Sequence, residues 1–244
     1  MPVEKTPNGV LDEKYAEQRR KKPELAYRLA TRSRLVVESV RSYLPNRSHL
    51  NVLDMGCAEG RVLVELAGHL PQSRFVGIEY SRGLVNMGKD IPAKIAVIQG
   101  DVTALPFCDT EEAFDVVCAL AVLEHLDSPE AAVAEAERVL KPGGLFVATS
   151  PAPVWDRVST TLGLLEDDSH VTRLGRRRLI DLLQNTTLDF CAFRRFMWAP
   201  IAFLPYLHVP VSSGFSLRVD RFIERLKFMN LLFVNQAIVA RKRL

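Results

Sequence analysis

The stretch Asn51-Val-Leu-Asp-Met-Gly-Cys-Ala-Glu-Gly60 limits what this chain can fold into more than any other. Val52 and Leu53 begin a short apolar run, Gly56 and Gly60 flank a tight loop, and Arg61 to Ala67 then carries apolar residues at helical spacing. Strand, glycine turn and helix in that order present a loop backbone and a helix start to a ligand. A second strand-like run, Arg74-Phe-Val-Gly-Ile-Glu79, ends in an acid, and a carboxylate at the tip of the second strand is the usual partner for ribose hydroxyls in this architecture. The loop is not a dinucleotide fingerprint. That pattern wants Gly-x-Gly-x-x-Gly, whereas here Cys57 and Ala58 follow Gly56 and an acid, Asp54, stands two residues before it.

Asp54-Met-Gly-Cys-Ala-Glu-Gly60 resembles the cofactor loop of the class I S-adenosylmethionine-dependent methyltransferases, whose usual form is Asp/Glu-x-Gly-x-Gly-x-Gly. Cys57 fits a common variant of the first x. Ala58 departs from the pattern where glycine is usual, narrowing the room near the loop by one methyl group. After a third strand at Ile95 to Ile98, Gly100-Asp-Val-Thr-Ala-Leu-Pro-Phe107 resembles the family's third cofactor motif. Further on, the fourth strand Phe114 to Leu120 is near-continuously apolar, as a strand covered on both faces should be. Then come Leu123-Glu-His-Leu126, a helix opening near Ser128-Pro-Glu130, Leu140-Lys-Pro-Gly-Gly144, and a fifth strand at Leu145 to Thr149. This order is similar to the branch that includes quinone-biosynthesis and natural-product methyltransferases, and it covers roughly residues 50 to 150.

The resemblance implies an α/β fold: a Rossmann-like, seven-stranded mixed sheet with helices on both faces. It also implies S-adenosyl-L-methionine as co-substrate and transfer of its methyl group to an O, N or C nucleophile. Asp54, Gly56, Cys57 and Gly60 would approach the amino-acid portion, and Glu79 with Tyr80 the ribose. Asp101 would accept from the adenine amino group, the Val102 backbone would meet the ring nitrogen, and Ala119 and Leu120 would line the methyl donor. A carboxylate accepts from an exocyclic amine but cannot serve an unprotonated ring nitrogen, so the division between Asp101 and Val102 is chemically sound. His125, just past the fourth strand, is the candidate catalytic residue. A neutral imidazole there can take a proton from a hydroxyl acceptor, the alternative being a structural hydrogen bond. Some quinone O-methyltransferases hold a divalent metal with Glu-x-x-Glu-His at this place. Here Glu124 and His125 are kept, but Ala121 stands where the first Glu would be, so no metal is expected.

Around this core, residues 1–48 read as a helical extension, one segment near Leu11 to Lys22 and a longer one after Pro23. In similar enzymes such an element covers the pocket and supplies an aromatic residue, for which Tyr15 and Tyr27 are candidates. Residues 49–195 and 231–244 would form the methyltransferase core. Thr172 to Gln184 would be the fifth outer helix, with His170 before it a second pocket candidate, and Thr187 to Phe193 and Leu232 to Ala240 would be strands six and seven. Residues 196–230 would be an inserted cap. Its first part, Phe196 to Val211, is apolar but broken by Pro200, Pro205 and Pro210, too short and too kinked to span a bilayer. Its second part puts Phe215, Val219, Phe222, Ile223 and Leu226 on one helical stripe, with the basic residues largely off it. Two readings compete: a lid packing that stripe on the sheet, or a basic amphipathic element resting on a membrane surface. Both favour a small apolar or amphiphilic acceptor, lipid-like, isoprenoid or natural-product in kind.

Charge narrows the partners. The net charge is only +3 in 244 residues, which demands no polyanion, although residues 1–50 hold eleven Lys/Arg against six Asp/Glu. Basic runs recur at Arg173 to Arg178 and at Arg241 to Arg243. No nucleic-acid partner is expected. The rival functions are an RNA- or DNA-directed methyltransferase using those runs, and an inactive cofactor-binding partner subunit. Four scattered cysteines, with no Cys-x-x-Cys pair, and a polar, charged opening from Met1 to Arg20 suggest a reduced, cytoplasmic chain.

Overall fold

The fourth strand is the middle strand of the sheet. In the computed structural model, which describes residues 13–88, 91–108, 114–155, 157 and 172–244, β4 (Phe114–Leu120) is buried at every residue. It pairs in parallel with β1 (Asn51–Met55) on one side and β5 (Leu140–Pro151) on the other. β2 (Arg74–Glu79) and β3 (Ile95–Gln99) extend the parallel half, while β7 (Phe233–Lys242) lies antiparallel between β5 and β6 (Leu188–Trp198). The order is β3-β2-β1-β4-β5-β7-β6. The order in which strands are added therefore reverses between the parallel neighbours β1 and β4, the switch point at which open sheets of this kind bind ligands.

Helices cover both faces. α1 (Glu13–Lys21) and α2 (Pro23–Tyr43) precede the sheet, and α3 (Arg61–His69), α4 (Arg82–Met87) and α5 (Pro129–Val139) connect its parallel strands. α6 (Arg176–Asp181), α7 (Ala199–Ala202) and α8 (Ser213–Glu224) follow. The starts are locally encoded. Ser81 accepts from the Leu84 amide and caps α4, Ser212 accepts from Phe215 and caps α8, and Pro23 and Pro129 supply the first turns of α2 and α5. One core cluster joins Val36, Val40, Leu63, Leu66, Val116 and Phe196, and the other joins Leu53, Ile78, Val117, Phe146 and Leu179. Each fully buried side chain of this size contributes about 1.5–3 kcal/mol.

Several expectations change. β6 runs to Trp198, three residues into the stretch expected to be insertion, because Asp220 of α8 accepts from the amides of Met197 (2.8 Å) and Trp198 (2.9 Å) and holds the strand end. β5 begins at Leu140, with Lys141 to Gly144 bulged between its two pairings to β4. The fifth outer helix shortens to α6. α8 stops at Glu224, and a 3-10 segment, Lys227–Leu232, leads into β7.

The expected stripe on α8 holds only in part: Ile223 is buried and Val219 and Leu226 are half-buried, but its two phenylalanines face outward. Phe215 and Phe222 are exposed, and the packed face is Ser216, Leu217, Asp220 and Ile223. Two buried polar groups are accommodated because each has a partner: Ser216 meets the Tyr27 hydroxyl at 2.5 Å, and Asp220 meets the strand amides. Tyr27 is thus a bolt between α2 and α8, buried and committed to Ser216, and does not serve as a pocket aromatic. The Tyr15 side chain and His170 lie outside the described residues.

Candidate active site

Asp54 is the fourth residue of β1 and is buried. The chain then turns through Gly56 (φ +72°), Ala58 (φ +50°) and Gly60 (φ +78°), three left-handed residues that fold the loop back over the end of β2. The amides of Gly56 and Cys57 both donate to the Ile78 carbonyl (2.8 and 3.0 Å), that of Gly60 to Cys57 O (3.0 Å), and that of Ala58 to Glu79 Oε2 (2.9 Å). These four donors are spent on the protein itself. A glycine turn that cradles phosphate would keep its amides for the ligand.

What surrounds the turn is negative charge. Asp54, Glu59 and Glu79 are all buried, and all three push the buried Cys57 thiol up beyond its ordinary range, with desolvation the larger cause. Cys57 is accordingly a neutral packing group, and burial with Asp54 nearby has the same effect on Cys118. Glu79 spans the site, taking Ala58 N–H on one oxygen and Ser81 N–H (2.8 Å) on the other, so its carboxylate is fixed in place. Tyr80 follows it, half-exposed.

The remaining expected residues arrive at the same strand ends. Gln99 pairs with Glu79 in register, and Gly100 N–H donates to the Glu79 carbonyl (3.0 Å), which sets Asp101 beside it. Asp101 accepts from both the amide and the hydroxyl of Thr103 at 2.7 Å, each through Oδ1. Both bonds use one oxygen, so Oδ2 keeps its accepting capacity. Val102 is buried next to it. Met55 pairs with Ala119, which places Ala119 and Leu120 against the loop, and Val122 lies beneath Gly56, where an added Cβ would come within 2.6 Å of its Cγ2. Ala121 has φ +60° at the bend out of β4. His125 ends the 3-10 turn Leu123–His125 beyond Val122, its amide donating to the Val122 carbonyl (2.9 Å). Thr172 N–H donates to Glu124 O (3.0 Å), pinning a later segment to this turn. Among the described residues, no group of three His, Cys, Asp or Glu side chains is placed to hold a metal.

Three contributions were not evident beforehand. Glu59 fills a variable position of the loop motif, yet it is buried beside the turn, and an acid inside such a turn is itself a signal. Gly77 of β2 reads as a weak strand residue, yet its missing Cβ makes room for Cys57 Sγ, which would otherwise lie 2.3 Å away. Ala58 occupies the usual glycine position in a left-handed conformation, and its methyl group packs with Ala16 of α1 and Leu84 of α4.

A methyltransferase-domain family model matches residues 53–148, the span from β1 to the middle of β5 that carries this geometry. Residues 53–148 are therefore a methyltransferase domain of the class I, S-adenosylmethionine-dependent kind by family match, and the remainder of the chain lies outside that match. An uncharacterised methyltransferase of Schizosaccharomyces pombe is 33% identical over 104 residues, covering 38% of this chain and 37% of the relative. A mitochondrial ubiquinone biosynthesis O-methyltransferase of Dictyostelium discoideum is 28% identical over 127 residues, 47% of this chain and 39% of its own length. The chain therefore spans well under half of either curated relative. Among solved structures, the plantazolicin methyltransferase BpumL in complex with SAH superposes with TM-score 0.64 at 14% identity, over 94% of this chain and 89% of that one. That likeness is one of fold.

Proposed function

We propose that this methyltransferase binds S-adenosyl-L-methionine over the ends of β1, β2 and β3 and passes its methyl group to a small apolar or amphiphilic acceptor. One observation carries the reading. The glycine turn has spent the amides of Gly56, Cys57, Ala58 and Gly60 internally and is walled by the buried carboxylates of Asp54, Glu59 and Glu79. Such a site suits a ligand with positive charge and no phosphate, which describes an adenosyl sulfonium with its ammonium group and excludes a dinucleotide diphosphate.

When bound, the sulfonium supplies an activated methyl group. The chain's residues supply placement. Glu79, locked by two amides, accepts from ribose hydroxyls, and Asp101 Oδ2 accepts from the adenine amino group. Ala119 and Leu120 form the apolar floor near the reacting centre. Holding a nucleophile in line with the methyl carbon is worth roughly 7–11 kcal/mol at best. His125 stands on the turn beyond β4 as the base for an acceptor hydroxyl. The helices before β1 and the segment between the end of β6 at Trp198 and the start of β7 at Phe233 frame the core. The quinone O-methyltransferase relative and the Trp155–Phe203–Tyr206 aromatic row, with centroids 5.7 and 5.6 Å apart, favour an apolar acceptor.

Titrating the full chain with S-adenosylmethionine, S-adenosylhomocysteine and NAD tests the reading. Binding of the first two and not the third is expected, and preference for NAD would overturn it. A methylation assay on fractionated lipid extracts then seeks the acceptor. His125→Asn should lose turnover while keeping S-adenosylhomocysteine affinity, and unchanged turnover would remove His125 from the chemistry.

A further inference from the structure

No helix of the described residues is long and apolar enough to cross a membrane. The outward face of α8 nevertheless has an unusual composition. Phe215, Arg218, Phe222 and Arg225 follow at spacings of three, four and three, so they share one stripe, and all four are exposed. Phe215 is 49% exposed and Phe222 62%, and beyond the helix Phe228 and Leu231 reach 82% and 69%. Both acids of the helix turn the other way. Asp220 is buried against the end of β6, and Glu224 accepts from the Arg195 amide (3.1 Å) and pairs with Arg194 (3.6 Å). Arg221 shares Glu38 of α2 at 3.9 Å, leaving Arg218 and Arg225 as the cations among the phenyl rings. Leu217, Ile223 and the Tyr27–Ser216 bond fix the opposite side, so this face cannot turn inward to bury its rings.

We propose that the stripe Phe215–Arg218–Phe222–Arg225, continued by Phe228 and Leu231, docks on an anionic phospholipid bilayer. Large apolar side chains exposed together mark a contact surface. Rings interleaved with guanidiniums and no outward acid match the boundary between acyl chains and anionic headgroups. The two cations among the described side chains of this stripe give too few phosphate contacts for nucleic acid, where binding rests on many such pairs. The surface also connects with the site. Trp155, just past the end of β5, donates its indole N–H to Leu231 O (2.8 Å) and packs on Phe203, so the docking segment is tied to the rim where the crevice opens. A bilayer-dissolved acceptor would reach the crevice from that side, a consequence that rests on the proposed methyl transfer; the docking itself does not.

The test is flotation of the full chain with vesicles of phosphatidylcholine alone and of phosphatidylcholine mixed with phosphatidylglycerol. The chain should float with the mixed vesicles and dissociate as salt is raised. The double variants Phe215→Ser/Phe222→Ser and Arg218→Glu/Arg225→Glu should each lower the bound fraction roughly tenfold or more. All four side chains are exposed, so folding should be kept, and an unchanged thermal transition checks this. Failure of the parent to float, or flotation indifferent to both double variants, overturns the proposal. Retained binding of a single-stranded RNA oligonucleotide with no vesicle binding overturns it in favour of a nucleic-acid surface. S-adenosylhomocysteine affinity, measured in parallel, separates the two claims: intact affinity without flotation removes only the docking, and flotation without affinity removes only the methyltransferase reading.

Discussion

At Gly56 two constraints meet in one residue. Its φ of +72° is left-handed, and an added Cβ would sit 2.6 Å from Val122 Cγ2. The conformation alone costs a side chain about 1–2 kcal/mol, and displacing the buried valine adds to it. Gly56→Ala is expected to lower unfolding free energy by about 2 kcal/mol or more, read from denaturant titration, and to weaken S-adenosylhomocysteine binding because the turn and Ala119 shift together. The sequence signalled the need for glycine here, but not the reason. At Ala58 the expectation was a loss of room. The structure shows instead a left-handed backbone, φ +50°, with the methyl group packed toward α1 and α4, so the departure from glycine is conformational. Gly77 carried no signal, since the contact it permits, with Cys57 Sγ, joins two elements far apart in sequence.

Among the elements, α8 was the hardest to read. Hydrophobic periodicity assumes that the apolar stripe packs inward, and this helix buries Ser216 and Asp220 while exposing Phe215 and Phe222. The deciding partners are Tyr27, 189 residues away, and the end of β6. Tyr27→Phe removes that hydroxyl and should cost about 1 kcal/mol of stability, leaving S-adenosylhomocysteine affinity unchanged; a large loss of affinity would return Tyr27 to the pocket. Asp220 gives the element a pH signature. Burial lifts its carboxyl from 3.8 to about 6 against the two strand amides that favour its ionised form, with Glu224 raising and Arg194 lowering it. Between those values the folded chain holds more protons than the unfolded one, so stability from this site is full at low pH and falls as pH rises through about 6. The fall should approach 3 kcal/mol at ~1.4 kcal/mol per pH unit, and it should vanish in Asp220→Asn when unfolding is followed across that window. β1 and β4, by contrast, were legible as apolar runs between turn residues, because strands covered on both faces advertise themselves locally. The edge strand β3 was legible from its β-branched residues although mostly exposed. β6 was legible only at its start, since its last residues depend on the Asp220 bond.

For the whole molecule, the order of the strands brings together residues spread from Asp54 to His125, and that order follows from the connections between β1 and β5. The sequence carried the carboxylates at the tips of β1 and β2 and after β3, and it could not show that the loop amides between them are spent. That internal satisfaction, with Asp54, Glu59 and Glu79 buried around it, is what the proposed binding of a cationic ligand rests on. Equilibrium calorimetry of S-adenosylhomocysteine on the parent and on Glu79→Ala/Asp101→Ala tests this most directly. With both carboxylates gone and the thermal transition still cooperative, affinity should fall by about a hundredfold or more, at roughly 1.5–3 kcal/mol for each charge-assisted bond. Affinity equal to that of the parent would contradict the account.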